Sequence, residues 1–454
     1  MKEAGVKPNT ETYDHILRAC GDIAAQAEAW AVFEDMISVG AIPTRNTFHQ
    51  LLYTMRYSRL DHTYDVLKLM DEHNVAKNET TYEFVICRLI QQENLELGLQ
   101  WLAEMSKEDL SPTMKTIQSL VQLAADKGHA RLAIELAVNF EQSTPRILEA
   151  SAWYHCLIAA ADSLYPDGVV YAWDKVVHAM RIPLDEGCCQ AVLHTAGRNG
   201  LKDLALEAIR QLKAIGVTWK EHHFAPLVEA FCRAGDIREG FASLSLIRQY
   251  GVDPTLETAY PIFQAISQSD EKVDEAWGIL EELKNEGRTI DVVAYNSLIQ
   301  ACVAIGDLQR SLGTYKAASD LGVKPDIETF NLLLSACIAA EHRELGDRLL
   351  TEMREANIRP NERTYERLIV LCLTQATYED AFYYLEEMKT VKLKPSQAIY
   401  EAIIRKCVFV GDTRYKLAVE EMTENGYEVS KKLQEFIDNG GQTPKDRVQK
   451  NRSR

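Results

Sequence analysis

Apolar residues recur along this chain in short stripes with helical spacing, and glycine- or proline-containing turns separate the stripes. Residues 292–326 show the pattern: apolar side chains stand three or four positions apart over 295–303 and again over 308–315. Between the two stripes, Gly306 relaxes the backbone and Asp307 offers an acceptor to the free amides that open a helix. The pattern predicts two amphipathic helices joined by a tight turn.

This helical hairpin repeats with a period of 35 residues. Because one hairpin cannot bury its apolar stripe alone, each relies on its neighbours, and we predict an all-α solenoid with a concave surface. The period is carried by the aromatic residues Tyr295, Phe330, Tyr365 and Tyr400 and by the prolines Pro325, Pro360 and Pro395. About twelve tandem helix-turn-helix units follow: 10–44, 45–78, 79–113, 114–150, 151–185, 186–220, 221–255, 256–291, 292–326, 327–361, 362–396 and 397–430.

The repeats are assigned to residues 1–430. Their phase breaks near 141–185, where 165–168 (YPDG) looks like a small loop insertion, and we expect two halves to meet there. Residues 431–454 are predicted to form a short polar and basic tail that is disordered. The first nine residues match the end of a repeat, so we expect a truncated amino terminus, and no targeting segment is recognisable.

The charge and the distribution of apolar residues limit the kinds of partner that the chain can bind. The 454 residues carry a formal net charge of -17, with 67 acidic against 50 basic side chains, which argues against a diffuse electrostatic grip on a polyanion. Any contact with nucleic acid must therefore be local. The sequence contains no run of eighteen or more apolar residues, so we expect no insertion into a membrane.

The cysteines follow the repeat. Equivalent positions in stacked hairpins lie roughly 9–10 Å apart, which exceeds disulfide reach, and we predict reduced core thiols, with a redox or zinc-binding role as the alternative. The four in question are Cys302, Cys337, Cys372 and Cys407. A glycine-rich phosphate loop, H-E-x-x-H and G-x-S-x-G are all missing, so we predict a protein that is not an enzyme and binds no cofactor and no metal.

The motif within each unit resembles a known family. Residues 295–299 (YNSLI), a glycine turn, an apolar second helix and 322–326 (GVKPD) together resemble the pentatricopeptide repeat, and the period of 35 separates it from the 34-residue tetratricopeptide repeat. The resemblance implies a right-handed superhelix of the P-type, without an appended catalytic domain. It also implies a mitochondrial or, second, a plastid protein that binds single-stranded RNA and affects its processing, stability or translation.

The resemblance also implies which side chains read bases. In the family, the residue after the conserved aromatic and the last residue of the repeat contact the base edge, and an aliphatic residue two places before the aromatic sandwiches it. One unit then presents Val293, Asn296 and Asp326, which resembles the uracil-reading type. The next unit presents Asn331 and Asn361, which resembles a pyrimidine reader. A short, pyrimidine-containing single strand of RNA is the expected partner.

Other units depart from these readers, and a second function stays open. The corresponding pairs are Asp14/Thr44, His49/Asn78, Glu83/Thr113, Gln190/Lys220, Ala225/Thr255, Tyr260/Asp291 and Glu366/Ser396. By the same resemblance, phosphates would be contacted by Arg56, Arg198 and Arg233. The alternative is a protein-protein scaffold or assembly factor, for example on an organellar ribosome or respiratory complex, which the acidic balance favours.

Overall fold

The structure is a computed structural model that describes residues 7–441. Within this range the chain forms 26 α-helices and no β-strand, so the predicted all-α fold of helical hairpins is confirmed. The chain divides into two compact units: the part up to Asn199 together with Leu206–Val217, and Gly200–Ala205 together with the part from Thr218 onward. The handedness of the predicted superhelix stays a prediction.

In the first unit, helices α1, α3, α5, α7, α9 and α11 pack side by side in one row, and each is the first helix of a hairpin. A 3-10 turn, Met55–Tyr57, continues α3, and a π-helical turn, Asp174–Ala179, continues α10. The helices are α1 (Thr10–Asp22), α2 (Gln26–Ser38), α3 (Arg45–Thr54), α4 (Leu60–Glu72), α5 (Glu79–Gln91), α6 (Leu95–Lys107), α7 (Met114–Asp126), α8 (Ala130–Ser143), α9 (Ala150–Asp162), α10 (Pro166–Trp173) and α11 (Glu186–Asn199), with α12 (Lys202–Ala214) crossing the division.

In the second unit, α13, α15, α17, α20, α22, α24 and α26 form the row of first helices. The helices are α13 (Glu221–Arg233), α14 (Ile237–Gln249), α15 (Tyr260–Ile266), α16 (Asp270–Asn285), α17 (Val292–Ile305), α18 (Leu308–Lys316), α19 (Ala318–Leu321), α20 (Ile327–Ala339), α21 (Arg343–Glu355), α22 (Glu362–Thr374), α23 (Asp380–Thr390), α24 (Gln397–Val410), α25 (Tyr415–Glu424) and α26 (Lys431–Asp438). Each of the twelve predicted units therefore contains one hairpin.

The second helix of each hairpin carries one small residue where neighbouring helices approach closely. A Cβ atom added to Gly346 would lie 2.3 Å from Leu371 Cδ2, on the first helix of the next hairpin. At the equivalent Gly98, the distance to Leu120 Cδ2 of the next hairpin is 3.2 Å. Both glycines thus let the following hairpin approach closely, and a larger residue there would force the leucine side chain of that hairpin to move.

The segment predicted as a loop insertion folds differently. Pro166 is the first residue of α10, where its missing amide hydrogen costs nothing. Gly168 then packs so closely that an added Cβ would lie 2.4 Å from Tyr165 Cδ1 and 2.7 Å from Ile134 Cδ1. The chain then continues into the π-helical turn Asp174–Ala179.

The predicted break between two halves near 141–185 stays a prediction. A buried carboxylate joins that segment internally: Glu141 Oε1 accepts from Trp153 Nε1 at 2.9 Å and from the Leu148 amide at 3.1 Å, and Oε2 accepts from Lys175 at 2.9 Å. Burial raises the pKa of Glu141, but these hydrogen bonds outweigh it and lower the pKa overall. The irregular segment is thereby tied together.

The carboxy-terminal tail begins as a helix. Residues 431–438 form α26, where Ser430 caps the Leu433 amide and the Leu433 side chain is fully buried. Burial of an apolar side chain explains why this segment folds despite its polar composition. The tail predicted over 431–454 is therefore helical at its start, and residues 442–454 lie outside the described residues.

All ten cysteines are free thiols, as predicted. The repeated cysteines are buried, and burial raises the pKa of Cys302 and Cys337 to about 11 and that of Cys372 to about 12. A thiol with so high a pKa stays protonated at neutral pH and packs as a small apolar side chain.

Candidate nucleic-acid interface

The last residue of a repeat is the N-cap of the next first helix. Its side chain accepts from the amide of a threonine three residues later, and this satisfies one of the free amides at the helix start. The pairs with this geometry are Asn9/Thr12, Thr44/Thr47, Asn78/Thr81, Thr113/Thr116, Asp326/Thr329 and Asn361/Thr364. The position that the resemblance assigns to base reading therefore also starts a helix.

The residue after the aromatic reaches across to that cap. Thr47 donates to Asp14 Oδ1 at 2.6 Å, and His49 Nε2 lies 3.1 Å from Asn78 Oδ1. We call these links between one first helix and the next the polar ladder. Each member is hydrogen-bonded to the cap residue of the next first helix or to the threonine three residues after that cap. The members include Asp14, His49, Asn296, Asn331 and Glu366.

The predicted uracil reader is one rung of this ladder. Asn296 Nδ2 donates to Asp326 Oδ1 at 2.9 Å, and Asn296 Oδ1 accepts from the Thr329 hydroxyl at 2.6 Å. Asp326 Oδ1 also accepts from the Thr329 amide at 2.9 Å, and it lies 2.9 Å from Thr329 Oγ1, whose single hydrogen Asn296 Oδ1 and Asp326 Oδ1 share. The second carboxylate oxygen, Asp326 Oδ2, makes no hydrogen bond with any described residue and is left to accept one from a ligand.

The predicted pyrimidine reader repeats the arrangement more loosely. Asn331 Oδ1 accepts from the Thr364 hydroxyl at 2.8 Å, while Asn331 Nδ2 lies 3.5 Å from Asn361 Oδ1. Asn361 Oδ1 also accepts from the Thr364 amide at 3.0 Å. The Asn361 Nδ2 group makes no hydrogen bond with any described residue. This rung leaves a donor to a ligand, whereas the preceding rung leaves an acceptor.

Three of the predicted base readers are buried, although side chains that read bases were expected on the concave surface. Asn296 exposes 1% of its surface and Asn331 none, and Val293 exposes 6%. The side-chain amides of Asn296 and Asn331 close hydrogen bonds between neighbouring helices. Asp326 and Asn361 are half-buried, so they are the more accessible members of each pair.

All three arginines predicted to contact phosphate interact with other residues of the chain. Arg56 Nη1 donates to the Gly21 and Tyr53 carbonyls at 2.7 and 2.9 Å, and Arg233 Nε donates to Glu229 at 2.9 Å. Arg198 is exposed. The role of these three arginines at phosphates stays a prediction.

Sequence reasoning missed two arginines beside the second reader. Arg367 Nε donates to the Ser335 hydroxyl at 2.7 Å, and that hydroxyl donates to the Asn331 carbonyl at 3.0 Å. Arg363 is exposed and lies 3.8 Å from Glu328. The signal was present in 362–367 (ERTYER), which places arginines at the second and sixth positions of that unit and so supplies positive charge near the reader.

The arrangement defines a helical-repeat protein in which side chains such as Asp14, His49, Asn296, Asn331 and Glu366 link neighbouring first helices. Within residues 7–441, none of its helices has the length and apolar character needed to cross a membrane. Comparison with known proteins shows to which family of repeat proteins the chain is similar. The family description "Pentatricopeptide repeat-containing protein" matches residues 186–318, and "Pentatricopeptide repeat domain" matches 1–56 and 348–409. The chain belongs to the pentatricopeptide repeat family.

Two curated relatives come from Arabidopsis thaliana. A pentatricopeptide repeat-containing protein is 24% identical over 161 residues, which cover 35% of this chain and 28% of the relative. A second, named as chloroplastic, is 19% identical over 286 residues, which cover 56% of this chain and 52% of the relative. The chain thus matches about a quarter of the length of one relative and about half of the other.

Two solved structures are among those to which the chain is similar. Maize PPR10 in complex with an 18-nt psaJ RNA element is 15% identical, with a TM-score of 0.38, and the match covers 96% of this chain and 72% of PPR10. Yeast Rmd9p in complex with a 16-nt target RNA is 12% identical, with a TM-score of 0.39, and the match covers 93% of both chains.

Proposed function

We propose that the chain is a non-catalytic RNA-binding adaptor of an organelle, the mitochondrion ahead of the plastid, which acts in RNA processing, stability or translation. Its second unit holds a short, pyrimidine-containing single strand at Asn296, Asp326, Asn331 and Asn361. The supporting observation is that two consecutive rungs of the polar ladder leave unbonded polar groups on half-buried cap residues, one repeat apart. Families of helical repeats that read RNA one base per repeat use such a spacing.

The free groups match pyrimidine edges. Asp326 Oδ2 accepts a hydrogen bond, and uracil offers N3–H as a donor; Asn361 Nδ2 donates, and uracil and cytosine both carry carbonyl acceptors. Asn296 contributes by holding Asp326 in place through its own bond. Arg363 is exposed beside the second rung and is the side chain that we assign to a neighbouring phosphate.

The test measures binding of the full chain to fluorescent 12-mer strands, one uracil-rich and one scrambled without guanine. We expect Asp326→Ala together with Asn361→Ala to lower affinity for the uracil-rich strand at least about 30-fold, because two base contacts worth roughly 1–3 kcal/mol each are removed. Asp14→Ala, at a rung with no reader, is the matched control and should change affinity less than twofold. Equal affinity of the double variant and the parent chain would refute base reading.

Docking on a protein is the second candidate function. The burial of Asn296 and Asn331 and the net charge of -17 favour it, since a base must compete with existing hydrogen bonds and an acidic surface attracts basic partners. Purification of the tagged chain with and without nuclease separates the two functions. Partners lost on nuclease treatment support the RNA adaptor, and partners that remain support the scaffold.

A further inference from the structure

The outer face of α10 in the first unit carries apolar side chains where the neighbouring second helix carries polar ones. Val170 exposes 47% of its surface and Tyr171 exposes 40%. On α8, the preceding second helix, the exposed positions include Arg131, Glu135 and Asn139. Because a surface helix turns its polar side to water, two adjacent large apolar side chains on that side indicate that something covers them.

Two carboxylates flank this apolar pair. Asp167 stands three residues before Val170 and Asp174 three residues after Tyr171, and the backbone at Asp174 is still helical (φ -57°, ψ -43°), so the four side chains share one side of the helix. Both aspartates are exposed, and neither carboxylate forms a hydrogen bond or an ion pair with any described residue. We call Asp167, Val170, Tyr171 and Asp174 the α10 patch.

The tyrosine of this patch is fixed by its neighbours. Its ring packs against the buried Trp153 ring at a centroid distance of 5.6 Å, and Lys175 Nζ lies 5.8 Å from its centroid. Trp153 and Lys175 both donate to Glu141, each at 2.9 Å. A side chain that is already fixed loses little conformational entropy on binding, which is what distinguishes the aromatic anchors of protein interfaces.

The helix under the patch is fixed at its carboxy-terminal end as well. Trp173 Nε1 donates to Glu207 Oε2 at 2.9 Å, and His178 Nε2 lies 3.1 Å from the same oxygen. The hydrogen bonds of a π-helical turn join residues five apart, so Trp173 and His178, which are five apart, reach one carboxylate. The α10 patch therefore lies on a segment that is tied to its neighbours at both ends.

We propose that the α10 patch docks a basic amphipathic helix of a partner protein. Apolar side chains of the partner pack on Val170 and Tyr171, and its lysines or arginines lie opposite Asp167 and Asp174. The two aspartates are seven residues apart, which is about 10 Å along a helix axis, so a helix that runs alongside meets them with cations seven residues apart. The charge favours this occupant, because unpaired carboxylates repel RNA phosphates and anionic lipid head groups.

This docking surface goes beyond the proposed RNA-binding function and does not depend on it. The α10 patch lies in the first unit, and the residues proposed to read bases lie in the second. A chain that uses both surfaces carries a partner protein together with an RNA strand.

Fluorescence anisotropy of the full chain with labelled synthetic peptides tests the proposal. The probe is a peptide of about 20 residues, long enough to be helical, in which lysines seven residues apart flank a stripe of leucines. In one control peptide glutamates replace the lysines, and in another serines replace the leucines. We expect the lysine peptide to bind at least about tenfold more tightly than either control.

Variants of the apolar pair separate docking from a general attraction of basic peptides to an acidic chain. Tyr171→Ser and Val170→Ser should each weaken binding of the lysine peptide about tenfold. Ile23→Ser, at a residue that is 77% exposed in the same unit, should leave binding unchanged. Circular dichroism melting identifies the folded variants, and Val170→Ser keeps the test decisive if loss of the Tyr171 ring disturbs the packing around Trp153.

An exchange of charge gives the sharper readout. Asp167→Lys together with Asp174→Lys should reverse the preference, so that the glutamate peptide binds at least about tenfold more tightly than the lysine peptide. Glu104→Lys together with Glu135→Lys changes the net charge equally, at exposed positions of α6 and α8, and should keep the original preference.

Three results overturn the proposal: an equal response of the two double variants, lysine-peptide binding that is insensitive to both serine variants in folded chains, and no selective peptide binding at all. In the last case, sedimentation of the chain alone and with lipid vesicles shows whether Tyr171→Ser removes self-association or lipid binding, which would assign the patch to a second copy or to a membrane surface. Failure of the uracil-rich strand to bind leaves the peptide result standing, and failure of the peptide leaves the base reading at Asp326 untouched.

Discussion

The two units build the same polar ladder from different side chains. In the first unit, the rungs are the carboxylate of Asp14 and the imidazole of His49, whereas in the second unit Asn296 and Asn331 supply amides. An amide donates and accepts at once, so Asn296 closes bonds with both the cap and the threonine, while the Asp14 carboxylate accepts only and relies on hydroxyl and amide donors. The cap geometry is the same in both units, whereas the side chain that bonds to the cap differs between them.

The largest effect is expected where the first unit depends on a single buried carboxylate. Glu141→Ala leaves Lys175 and the Trp153 indole without their partner, and its side chain is only 10% exposed, so we expect about 3 kcal/mol of stability to be lost. Hydrogen exchange should show the loss in peptides of α9 and α10. Glu135→Ala, exposed on the same helix, should stay within about 0.5 kcal/mol. Similar losses for both variants would contradict the role of Glu141.

Exchanging the rung chemistry should harm the second unit more than the first. Asn296→Asp places a second carboxylate 2.9 Å from Asp326, so we expect a loss of about 2–3 kcal/mol at neutral pH that diminishes in acid. Asp14→Asn, the reverse exchange, keeps an acceptor for Thr47 and should change stability by about 0.5 kcal/mol or less. Urea unfolding measures both, and equal effects would mean that the rungs are interchangeable.

A third difference concerns the small residue of the second helix. Gly346→Val should cost about 2 kcal/mol, because even the Cβ would lie 2.3 Å from Leu371. Gly98→Val in the first unit should cost less, since its nearest neighbour is 3.2 Å away. Gly313→Val, on the helix of the second unit where nothing lies within 4 Å, is the control and should be close to neutral. Thermal melting that ranks Gly98 above Gly346 would reject this explanation.

The smallest expected effect is a pH dependence confined to the imidazole rung. Burial lowers the pKa of His49, so the unfolded chain binds a proton more readily than the folded one. Its contribution to stability is therefore complete above the unfolded pKa of about 6.5 and is lost as pH falls through the lower folded pKa. The urea midpoint should fall between pH 7.5 and 5.5 more in the parent chain than in His49→Gln. Equal slopes would exclude His49 as the cause.

The hairpins could be predicted because their signals are local and repeated. Aromatic residues and prolines at a spacing of 35 mark the start and end of each unit, and glycine turns separate its helices. Where the local signal is ambiguous, the prediction failed: Pro166 was assigned to a loop although it starts α10, and the polar composition after residue 430 concealed the buried Leu433. A single buried side chain decides such a segment, and composition does not reveal it.

The candidate site was less predictable. The resemblance placed Asn296 and Asp326 at positions that the structure joins in one hydrogen bond. Spacing alone could not show that Asn296 is buried, because burial depends on how the next hairpin packs against it.

The double use of each cap residue has a consequence for engineering. Asp326 ends one sequence motif, yet it starts the helix of the next and is held by Asn296 and Thr329 on either side. A hairpin transplanted into another protein should therefore be cut after that threonine and not at the motif boundary. A hairpin cut at the motif boundary would contain Asn296 and Asp326 but would lack Thr329, which holds both side chains in place.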